Sequence, residues 1–420
     1  MLDLKAIRQQ PEDFKTRLAR KGVPANVVND LLSADEVKRD LQAQTESLKA
    51  EQNEASKRIP QLSGSEKEEA LAAMKTIAGT RKNLEADLEK ASAIVDELML
   101  SLPNPPRAEV PDGKSDEENV VARFEGQKPE FSFKPKEHWE LAEALNLLDM
   151  EQAAKVSGSR FYYLKNELAL LQQALMMWAF REVADKGYSP TIPPFMTRKE
   201  AIMGTGFFDR DENYCVNPGE DDLYLIGTSE VPMVSIHADQ IIDLSNGPLR
   251  YAAYSPCFRR EAGSYGKDTK GILRVHQFEK IEMVVFCAPE DAVAVHESLR
   301  ETEEEILKKL GIHYQVVDIC CGDLGVSASK KYDLEAWLPG QAQYREMTST
   351  SICDDFQTRR LNIRYKDADG NLQFAHALNG TAVSSRPLIA ILENGQKEDG
   401  SIDIPEVLWP YTGFERIEAK

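Results

Sequence analysis

Residues 257–286 read CFRREAGSYGKDTKGILRVHQFEKIEMVVF. The stretch opens and closes with apolar and aromatic residues that favour strands, whereas its middle is rich in Gly and Lys. We therefore predict two strands joined by a basic loop. Such a hairpin could hold a nucleotide, because arginine binds phosphate and an aromatic ring stacks on a base. On these residues alone, a charged surface hairpin is the more common interpretation.

Strand-forming runs recur around this hairpin and set the expected fold class. They cover residues 249–258, 272–286, 313–319 and 361–365. Helical patterns cover residues 161–186, before Gly187, and 291–310, before Gly311. Turns separate the strands more often than helices do, so we predict an α+β fold with an antiparallel sheet flanked by helices.

The N-terminal part has a different pattern, with apolar residues at three- and four-residue intervals. The seam of the second predicted helix is Met74, Ile77, Arg81, Leu84, Leu88, Ala91, Val95 and Leu98. The weaker seam of the first is Val37, Leu41, Gln44, Leu48, Glu51 and Ala55. Pro60 and Gly64 favour a turn between them. We predict an antiparallel coiled-coil hairpin with arms of about 25 to 30 residues. On this segment alone, a spacer or protein-interaction element is the more common interpretation.

Prolines mark the expected domain boundary, because Pro103, Pro105, Pro106 and Pro111 follow the second helix and cannot continue it. We predict an N-terminal domain over residues 1–103, a linker over 104–115 and a second domain over 116–420. A chain of 420 residues is also longer than one hydrophobic core usually supports.

Charge and composition limit the classes of function. The net charge is −19, which argues against nucleic acid as a partner of the whole surface. Residues 37–90, however, carry ten Lys and Arg and ten Asp and Glu, so we expect any RNA to contact the N-terminal region or local basic loops. No apolar run is long enough to span a bilayer, and the N-terminus does not resemble a secretion signal. We expect a cytoplasmic protein.

Five motifs together resemble the seryl-tRNA synthetase family of class II aminoacyl-tRNA synthetases. FRREAGSYGKDTKG and RVHQFEKIEM, within residues 258–283, resemble motif 2 in its seryl form. GTSEVP at 227–232 resembles the amino-acid loop, and REMTSTSICDDFQTRR at 345–360 resembles the metal and ATP segment. LNGTAVSSRPLIAILEN at 378–394 resembles motif 3, and GYSPTIPP at 187–194 resembles the end of motif 1. The resemblance implies a class II antiparallel sheet, with the coiled-coil hairpin as a tRNA-binding arm.

The resemblance also implies an ATP site. Arg259 is expected at the α-phosphate, and Phe278 and Arg386 are expected on the two faces of adenine, with Arg386 alternatively at the γ-phosphate. Arg259, Glu261 and Arg386 are the implied catalytic residues. The implied ATP-binding residues are Arg259, Arg260, Glu261, Val275, Phe278, Glu346, Met347, Thr348, Ser349 and Arg386. The motif 2 loop is expected to close over ATP and the tRNA end, with Lys267 and Lys270 contacting phosphate.

A serine site and a metal site follow from the same resemblance. The implied serine-binding residues are Thr228, Ser229, Glu230, Arg259, Glu282, Asn379 and Thr381. Glu282 and Thr381 are expected at the hydroxyl, because a site built to hydrogen-bond a hydroxyl rejects an amino acid that lacks it. Thr228 and Glu230 are expected at the ammonium group. Glu346 and Ser349 are expected to bind Mg²⁺, which prefers oxygen ligands.

Expected partners are L-serine, ATP, tRNA(Ser) and a second copy of the chain, and tRNA(Sec) is a further candidate substrate. Two alternatives remain: a catalytically decayed synthetase-like tRNA-binding protein, and a ligase that loads an amino acid onto a carrier protein. The pattern departs from the family at Arg260, where Ser is more frequent. It departs again between Asn379 and Arg386, where the spacing is one residue shorter. One residue in a helix turns a side chain by about 100°, so the shortening must fall in the turn before the helix if Arg386 is to reach ATP.

Overall fold

The computed structural model describes residues 1–208, 212–217, 219–220, 222–262, 266, 268 and 270–419. The chain divides into two compact units, residues 1–105 and 106–420. The division falls between Pro105 and Pro106, where two consecutive prolines prevent a helix from continuing.

The first unit is helical. Its helices are α1 Leu4–Gln9, α2 Pro11–Ala19, α3 Ala25–Arg58 and α4 Gly64–Ser101. The last two form the predicted antiparallel hairpin, but α3 is 34 residues long and α4 38, longer than the sequence indicated. The helix α3 begins directly after Pro24, and its first turns bury Val28 and Leu31. The heptad pattern does not extend to these turns, and it therefore placed the start of the helix too late.

The seam of the hairpin is confirmed for α4, where each predicted position is buried or half-buried. In α3 the positions Leu41, Leu48 and Ala55 lie in the seam, but Thr45 and Gln52 replace the predicted Gln44 and Glu51. Val37 is 53% exposed. Leu41, Leu48 and Ala55 are seven residues apart, and a heptad seam can place its intervening residue either three or four positions after each of them. The sequence alone therefore did not decide between Gln44 and Thr45, or between Glu51 and Gln52. The structure resolves this choice through Gln52, whose Oε1 accepts a 2.6 Å hydrogen bond from Arg81.

The second unit combines helices and strands. Its α-helices are α5 His138–Ala144, α6 Met150–Ser157, α7 Asn166–Asp185, α8 Lys199–Thr205, α9 Glu230–Ser235, α10 Ala292–Lys309, α11 Phe356–Arg360, α12 Pro387–Gly395 and α13 Trp409–Thr412. Its strands are β1 Val120–Glu125, β2 Leu148–Asp149, β3 Tyr163–Leu164, β4 Ser189–Thr191, β5 Met196–Arg198, β6 Cys215–Val216, β7 Leu223–Leu225, β8 Ile241–Ile242, β9 Leu249–Phe258, β10 Gln277–Cys287, β11 Tyr314–Asp318, β12 Lys330–Leu338, β13 Gln343–Ile352, β14 Arg364–Lys366, β15 Leu372–Phe374, β16 His376–Ser384, β17 Ile402–Asp403 and β18 Arg416–Ile417.

A large sheet organises this unit. In the described residues it has eight strands in the order β1-β11-β12-β13-β16-β10-β9-β4. All neighbours are antiparallel except β4 and β9. The helices α7, α10 and α12 pack their apolar residues against it, which buries one continuous core. The predicted α+β class with an antiparallel sheet and a helical N-terminal arm is therefore confirmed.

Individual elements follow the sequence pattern to different degrees. The strand predicted at 249–258 matches β9, and the helix predicted at 291–310 matches α10 within one residue at each end. The strand predicted from residue 272 begins only at Gln277. Residues 272–275 are instead an irregular segment whose side chains are largely buried, and their apolar character reflects burial and not strand pairing.

The start of the second unit is packed into its own core. Val110 is 3% exposed and lies in a small core with Val317 and Ile319. Of the helices that the structure describes, none combines the length and the apolar character required to cross a membrane.

Candidate functional site

A cavity of about 270 Å³ lies against the central strands β13, β16, β10 and β9. Its lining residues are Arg259, Glu261, Ile272, Leu273, Arg274, Val275, Phe278, Lys280, Lys331, Glu346, Met347, Ser349, Thr381, Ser384, Ser385 and Arg386. Every predicted ATP-binding residue except Arg260 and Thr348 is among them. The strands that carry these residues are neighbours in the sheet although they are far apart in sequence.

The end of β9 and the start of β10 form one wall. The guanidinium of Arg259 lies 5.3 Å from the centre of the Phe278 ring, and its Nε donates to the carbonyl of Gly227 at 3.1 Å. The sequence assigned no task to His276. In the structure its main-chain carbonyl accepts from the Arg259 amide at 3.0 Å, and its Nδ1 contacts the Arg259 carbonyl at 2.9 Å. His276 therefore holds the backbone from which Arg259 extends.

Glu261 begins the loop of motif 2 and adopts a left-handed backbone conformation, with φ of +52°. Its carboxylate accepts from Arg274 at 2.8 Å. The Glu212 carboxylate accepts from the amides of Glu261 and Ala262, each at 3.1 Å. These contacts fix a conformation that is otherwise strained for a residue with a side chain. In the same loop Lys267 lies outside the described residues, and the Lys270 ammonium lies 4.1 Å from the Trp139 ring centre.

A bulge in β13 brings Glu346 and Ser349 to the cavity. Glu346 pairs with Glu335 and Thr348 with Leu334, so Met347 is the extra residue. Because of that extra residue, two positions three apart face the same side of the sheet. Thr348 faces the other side, where its hydroxyl donates to the buried Glu303 at 2.9 Å.

Arg386 forms the opposite wall. It is the N-cap of α12, directly after the turn that follows β16, and its Nη1 lies 3.1 Å from a Glu346 carboxylate oxygen. The shorter motif 3 spacing therefore falls before the helix, and the side chain reaches the cavity. Burial alone would raise the pKa of Glu346, but Arg386 and Lys331 hold it at about 2, so the carboxylate is ionised at neutral pH.

A cluster of buried polar side chains, called the polar pocket below, adjoins this cavity; it contains Thr228, Glu230, Lys280, Glu282, Asn379 and Thr381. Glu282 and Thr381 are direct cross-strand neighbours on β10 and β16, and the Thr381 hydroxyl donates to Glu282 at 3.2 Å. Lys280 forms an ion pair with Glu282 and donates to the Thr228 hydroxyl at 2.9 Å. Thr381 and Lys280 also line the cavity, so the polar pocket opens onto it.

Glu230 belongs to the same cluster, and the Glu282 carboxylate and the Lys280 ammonium are close enough to influence its pKa. Glu230 is 4% exposed, and its Oε1 accepts from Gln357 at 2.7 Å and from Asn379 at 2.9 Å. Burial raises the pKa of Glu230, and repulsion by the Glu282 carboxylate adds to the effect, which brings it to about 7. The group is therefore divided between its neutral and ionised forms near physiological pH.

Three predicted residues do not contribute their side chains to the cavity or to the polar pocket. Arg260 is exposed, and its amide donates to the Glu212 carbonyl at 3.2 Å. The Ser229 hydroxyl donates to the Ala253 carbonyl at 3.2 Å, within the core. Thr348 is the third, as described above. The structure otherwise brings the predicted ATP-binding residues together around the cavity and the predicted serine-binding residues together in the polar pocket.

Several residues that contribute to the site were not predicted: Glu212, Arg274, Lys280, Lys331 and Gln357. Lys280 could have been found, because it lies between Phe278 and Glu282 at the two-residue period of one strand face. Gln357 gives no such signal, since its contact with Glu230 joins residues 127 positions apart.

The oxygen donors that line the cavity suit a hard cation whose remaining ligands are phosphate and water. In the part of the chain that the structure describes, no three His, Cys, Asp or Glu side chains converge on one point. Glu346 and Ser349 offer an ionised carboxylate and a hydroxyl on one face of β13. Mg²⁺ commonly takes one or two protein carboxylates and completes its shell with phosphate and water, so this pair fits.

Comparison with known families gives two matches that cover most of the chain. The model described as seryl-tRNA synthetase N-terminal domain matches residues 1–106. The model described as tRNA synthetase class II core domain (G, H, P, S and T) matches residues 213–395. The second match contains the cavity and the polar pocket.

Individual proteins that match over nearly their whole length belong to the same family. The serine–tRNA ligase of Nocardia farcinica is 46% identical over 99% of both chains, and that of Corynebacterium glutamicum is 45% identical over 100% of this chain and 99% of its own. Among solved structures, seryl-tRNA synthetase from Pyrococcus horikoshii complexed with ATP has a TM-score of 0.94 and 42% identity, with both chains fully covered. The cytoplasmic serine–tRNA ligase from Naegleria fowleri in complex with AMP has a TM-score of 0.86 and 33% identity, over 98% of this chain and 96% of its own.

Proposed function

The chain belongs to the seryl-tRNA synthetase family, and we propose that it activates serine with ATP and transfers the seryl group to tRNA. The observation that carries the proposal is the junction of the cavity and the polar pocket. Lys280 and Thr381 line the cavity and also contact Glu282 or Thr228 in the polar pocket. A nucleotide in the cavity would therefore meet an amino acid in the pocket at that junction.

The cavity suits the adenosine and phosphates of ATP. Phe278 offers a ring face for adenine, and Arg386 and Arg259 offer guanidinium groups for the other face and for the α-phosphate. Mg²⁺ would be held by Glu346 and Ser349, and when bound it supplies positive charge that stabilises the phosphates. The relative from Pyrococcus horikoshii was solved with ATP, which supports a nucleotide in this position.

The polar pocket suits serine. Glu282 and Thr381 would hydrogen-bond the substrate hydroxyl, and Thr228, Glu230 and Asn379 would surround the ammonium group. Alanine would leave the buried Glu282 and Thr381 without that partner, which costs binding free energy. Lys280 adds a cation beside Glu282 and keeps the carboxylate compensated in its buried position.

Arg259 would stabilise the charge that develops during activation. A serine carboxylate oxygen attacks the α-phosphorus, the bond between the α-phosphorus and the α,β-bridging oxygen breaks, and seryl-adenylate and pyrophosphate form. A ribose hydroxyl at the tRNA 3′ end then attacks the carbonyl carbon, and AMP leaves. Such chemistry depends mainly on positioning and electrostatics, and the site provides these through fixed guanidinium and carboxylate groups.

Partners of the whole chain extend this proposal. The α3–α4 hairpin is the tRNA-binding arm, which would recognise tRNA(Ser) by shape and backbone, because a deep RNA major groove hides base edges. Homodimerisation would use the motif 1 region, where Leu170 and Met177 are exposed one heptad apart on α7 and Ile192 is 68% exposed. A cytoplasmic location, and Mg²⁺ as the cation, belong to the same proposal.

An amino-acid-dependent ATP–pyrophosphate exchange assay across the twenty amino acids tests the activity. We expect exchange with serine and background rates with alanine and threonine. Arg259→Ala should abolish the signal, and the exposed Arg260→Ala should retain it as the matched control. Exchange that is strongest with another amino acid would contradict the assignment of the polar pocket, and absence of exchange would favour a decayed site.

A further inference from the structure

A buried histidine and glutamate outside the cavity connect two of its walls. His138, at the start of α5, is 1% exposed and Glu393, on α12, is fully buried. The His138 Nδ1 lies 3.1 Å from Glu393 Oε1, which also accepts from the His138 main-chain amide at 3.0 Å. None of the roles proposed above uses either residue.

The other nitrogen of His138 contacts the end of the motif 2 loop. The Ile272 amide donates to His138 Nε2 at 3.2 Å. Because Nε2 accepts this bond, the ring proton lies on Nδ1 and is donated to Glu393. Gly271 runs directly against the imidazole, since a Cβ there would lie 2.0 Å from Nε2, and its φ is +71°. The loop backbone can reach the histidine only because residue 271 is glycine.

Glu393 collects further bonds that fix it in place. Its Oε2 accepts from the Gly340 amide in the β12–β13 turn at 2.9 Å. One turn of helix later, Gln396 exchanges hydrogen bonds with both main-chain groups of Lys136, at 2.8 and 3.0 Å. The segment that presents His138 is therefore attached to the C-terminal half of α12, and Arg386 is the N-cap of the same helix.

The walls of the cavity depend on these attachments. Residues 272–275 line the cavity directly after the bond to His138, and Arg386 lines it from the start of α12. We propose that His138, oriented by Glu393, is a positioning residue that holds residues 272–275 at a fixed spacing from α12, so that ATP finds its site preformed. The proposal deepens, and rests on, ATP binding in this cavity.

Two isosteric variants separate this role from general stability. In His138→Gln the amide oxygen reaches about as far from the backbone as Nε2 and can accept from Ile272. In His138→Asn the amide lies near the position of Nδ1, so it can donate to Glu393 but cannot reach Ile272. We expect His138→Asn to raise KM for ATP about five- to tenfold, with KM for serine within about twofold, and His138→Gln to stay within about twofold on both. The control is His237→Gln, which removes the imidazole contacts to Gln240 and Tyr251, away from the cavity, and should leave both KM values unchanged.

Amide hydrogen exchange of the protein without ligands supplies a readout that does not depend on activity. Peptides covering residues 270–276 should lose protection in His138→Asn and keep it in His138→Gln. The positioning role would be overturned if the two variants had equal KM values for ATP and equal protection of residues 270–276. It would also be overturned if kcat fell and both KM values rose in parallel with a drop in melting temperature. If the wild type shows no serine-dependent ATP–pyrophosphate exchange, the proposed function fails. The amide hydrogen-exchange comparison then decides by itself whether His138 holds residues 272–275.

Discussion

Glu230 shows how burial adjusts one residue to its proposed task. Its carboxyl is surrounded by Gln357, Asn379 and the neighbouring Glu282, and little water reaches it. A pKa of about 7, against an ordinary 4.5, means that the folded state holds the proton more tightly than the unfolded chain. This group's contribution to the free energy of unfolding is therefore largest below pH 4.5 and falls as pH rises through about 7.

Serine affinity should follow the same titration in the opposite sense. An ionised Glu230 attracts the substrate ammonium group, and the ionised fraction of a group with this pKa rises about tenfold between pH 6 and pH 8. We expect KM for serine to fall several-fold over that interval in exchange assays. Glu230→Gln should remove the dependence. A KM that stays flat with pH in the wild type would contradict this role.

The hydroxyl of Thr381 should contribute strongly to serine binding and to the preference for serine over alanine. Thr381→Val keeps the shape of the side chain but leaves Glu282 with one partner fewer, and hydrogen bonds to charged groups contribute about 1.5–3 kcal/mol. We expect KM for serine to rise at least tenfold, and the preference for serine over alanine to decrease. Thr381→Ser is the matched control and should stay close to the wild type. A valine variant with unchanged selectivity would remove Thr381 from serine recognition.

Residue types at the site were predictable, whereas several contacts were not. Phe278 and Glu282 follow from a motif with a two-residue period on one strand. Lys280 shares that period, but its partner Thr228 lies 52 positions away, and no local pattern encodes such a pairing. The bulge at Met347 likewise depends on the register with β12. Local chemistry therefore identifies candidate residues, and strand register decides which of them meet.

Among the elements, the helix α3 of the first unit is attached to α1 through a buried carboxylate, that of Asp35. Asp35 is 2% exposed and binds Arg8 of α1 at 2.9 Å and Arg39 of its own helix at 3.0 Å. These contacts attach the first helix to α3. The heptad pattern, which begins two residues later, gave no indication of them.

Asp35→Asn should loosen that attachment. Both arginines are partly exposed and would remain hydrated, so we expect a loss of about 1–2 kcal/mol in the stability of the first unit, and not more. Thermal unfolding monitored by circular dichroism would measure it, with the exposed Asp40→Asn on the same helix as control. Equal melting temperatures for the two variants would show that Asp35 does not contribute.

The hairpin should be separable from amino-acid activation. Replacing residues 41–88 by a short Gly-Ser linker removes most of the arm and retains the buried base at Val28, Leu31, Val95 and Met99. Exchange with serine should persist, and charging of tRNA(Ser) should be lost. Loss of both activities in a variant with normal circular dichroism would show that the hairpin supports the catalytic unit itself.

At the scale of the whole molecule, the order of the strands explains why the motifs that form the site are separated along the chain. Neighbours such as β13 and β16, or β10 and β16, are joined by long segments of chain, so their pairing does not follow from the sequence between them. The class of the fold could still be predicted, because alternating strand runs and heptad repeats are local. The positions of β1, β12 and β16 in the sheet could not.

A dimer should depend on the exposed face of α7. Met177→Glu places a charge where we propose that two copies meet, and burying an unpaired charge is costly. Sedimentation velocity should show a shift from dimer to monomer. Val293→Glu, at an equally exposed position on α10, should remain dimeric. A monomeric wild type, or a dimeric Met177→Glu, would contradict the proposed interface.

The most direct test is a crystal structure with a sulfamoyl analogue of seryl-adenylate. We expect adenine between Phe278 and Arg386, the linking group beside Arg259, and the serine hydroxyl within hydrogen-bonding distance of Glu282 and Thr381. An analogue bound elsewhere, or an empty cavity in crystals that were saturated with it, would contradict the proposed positions of ATP and serine.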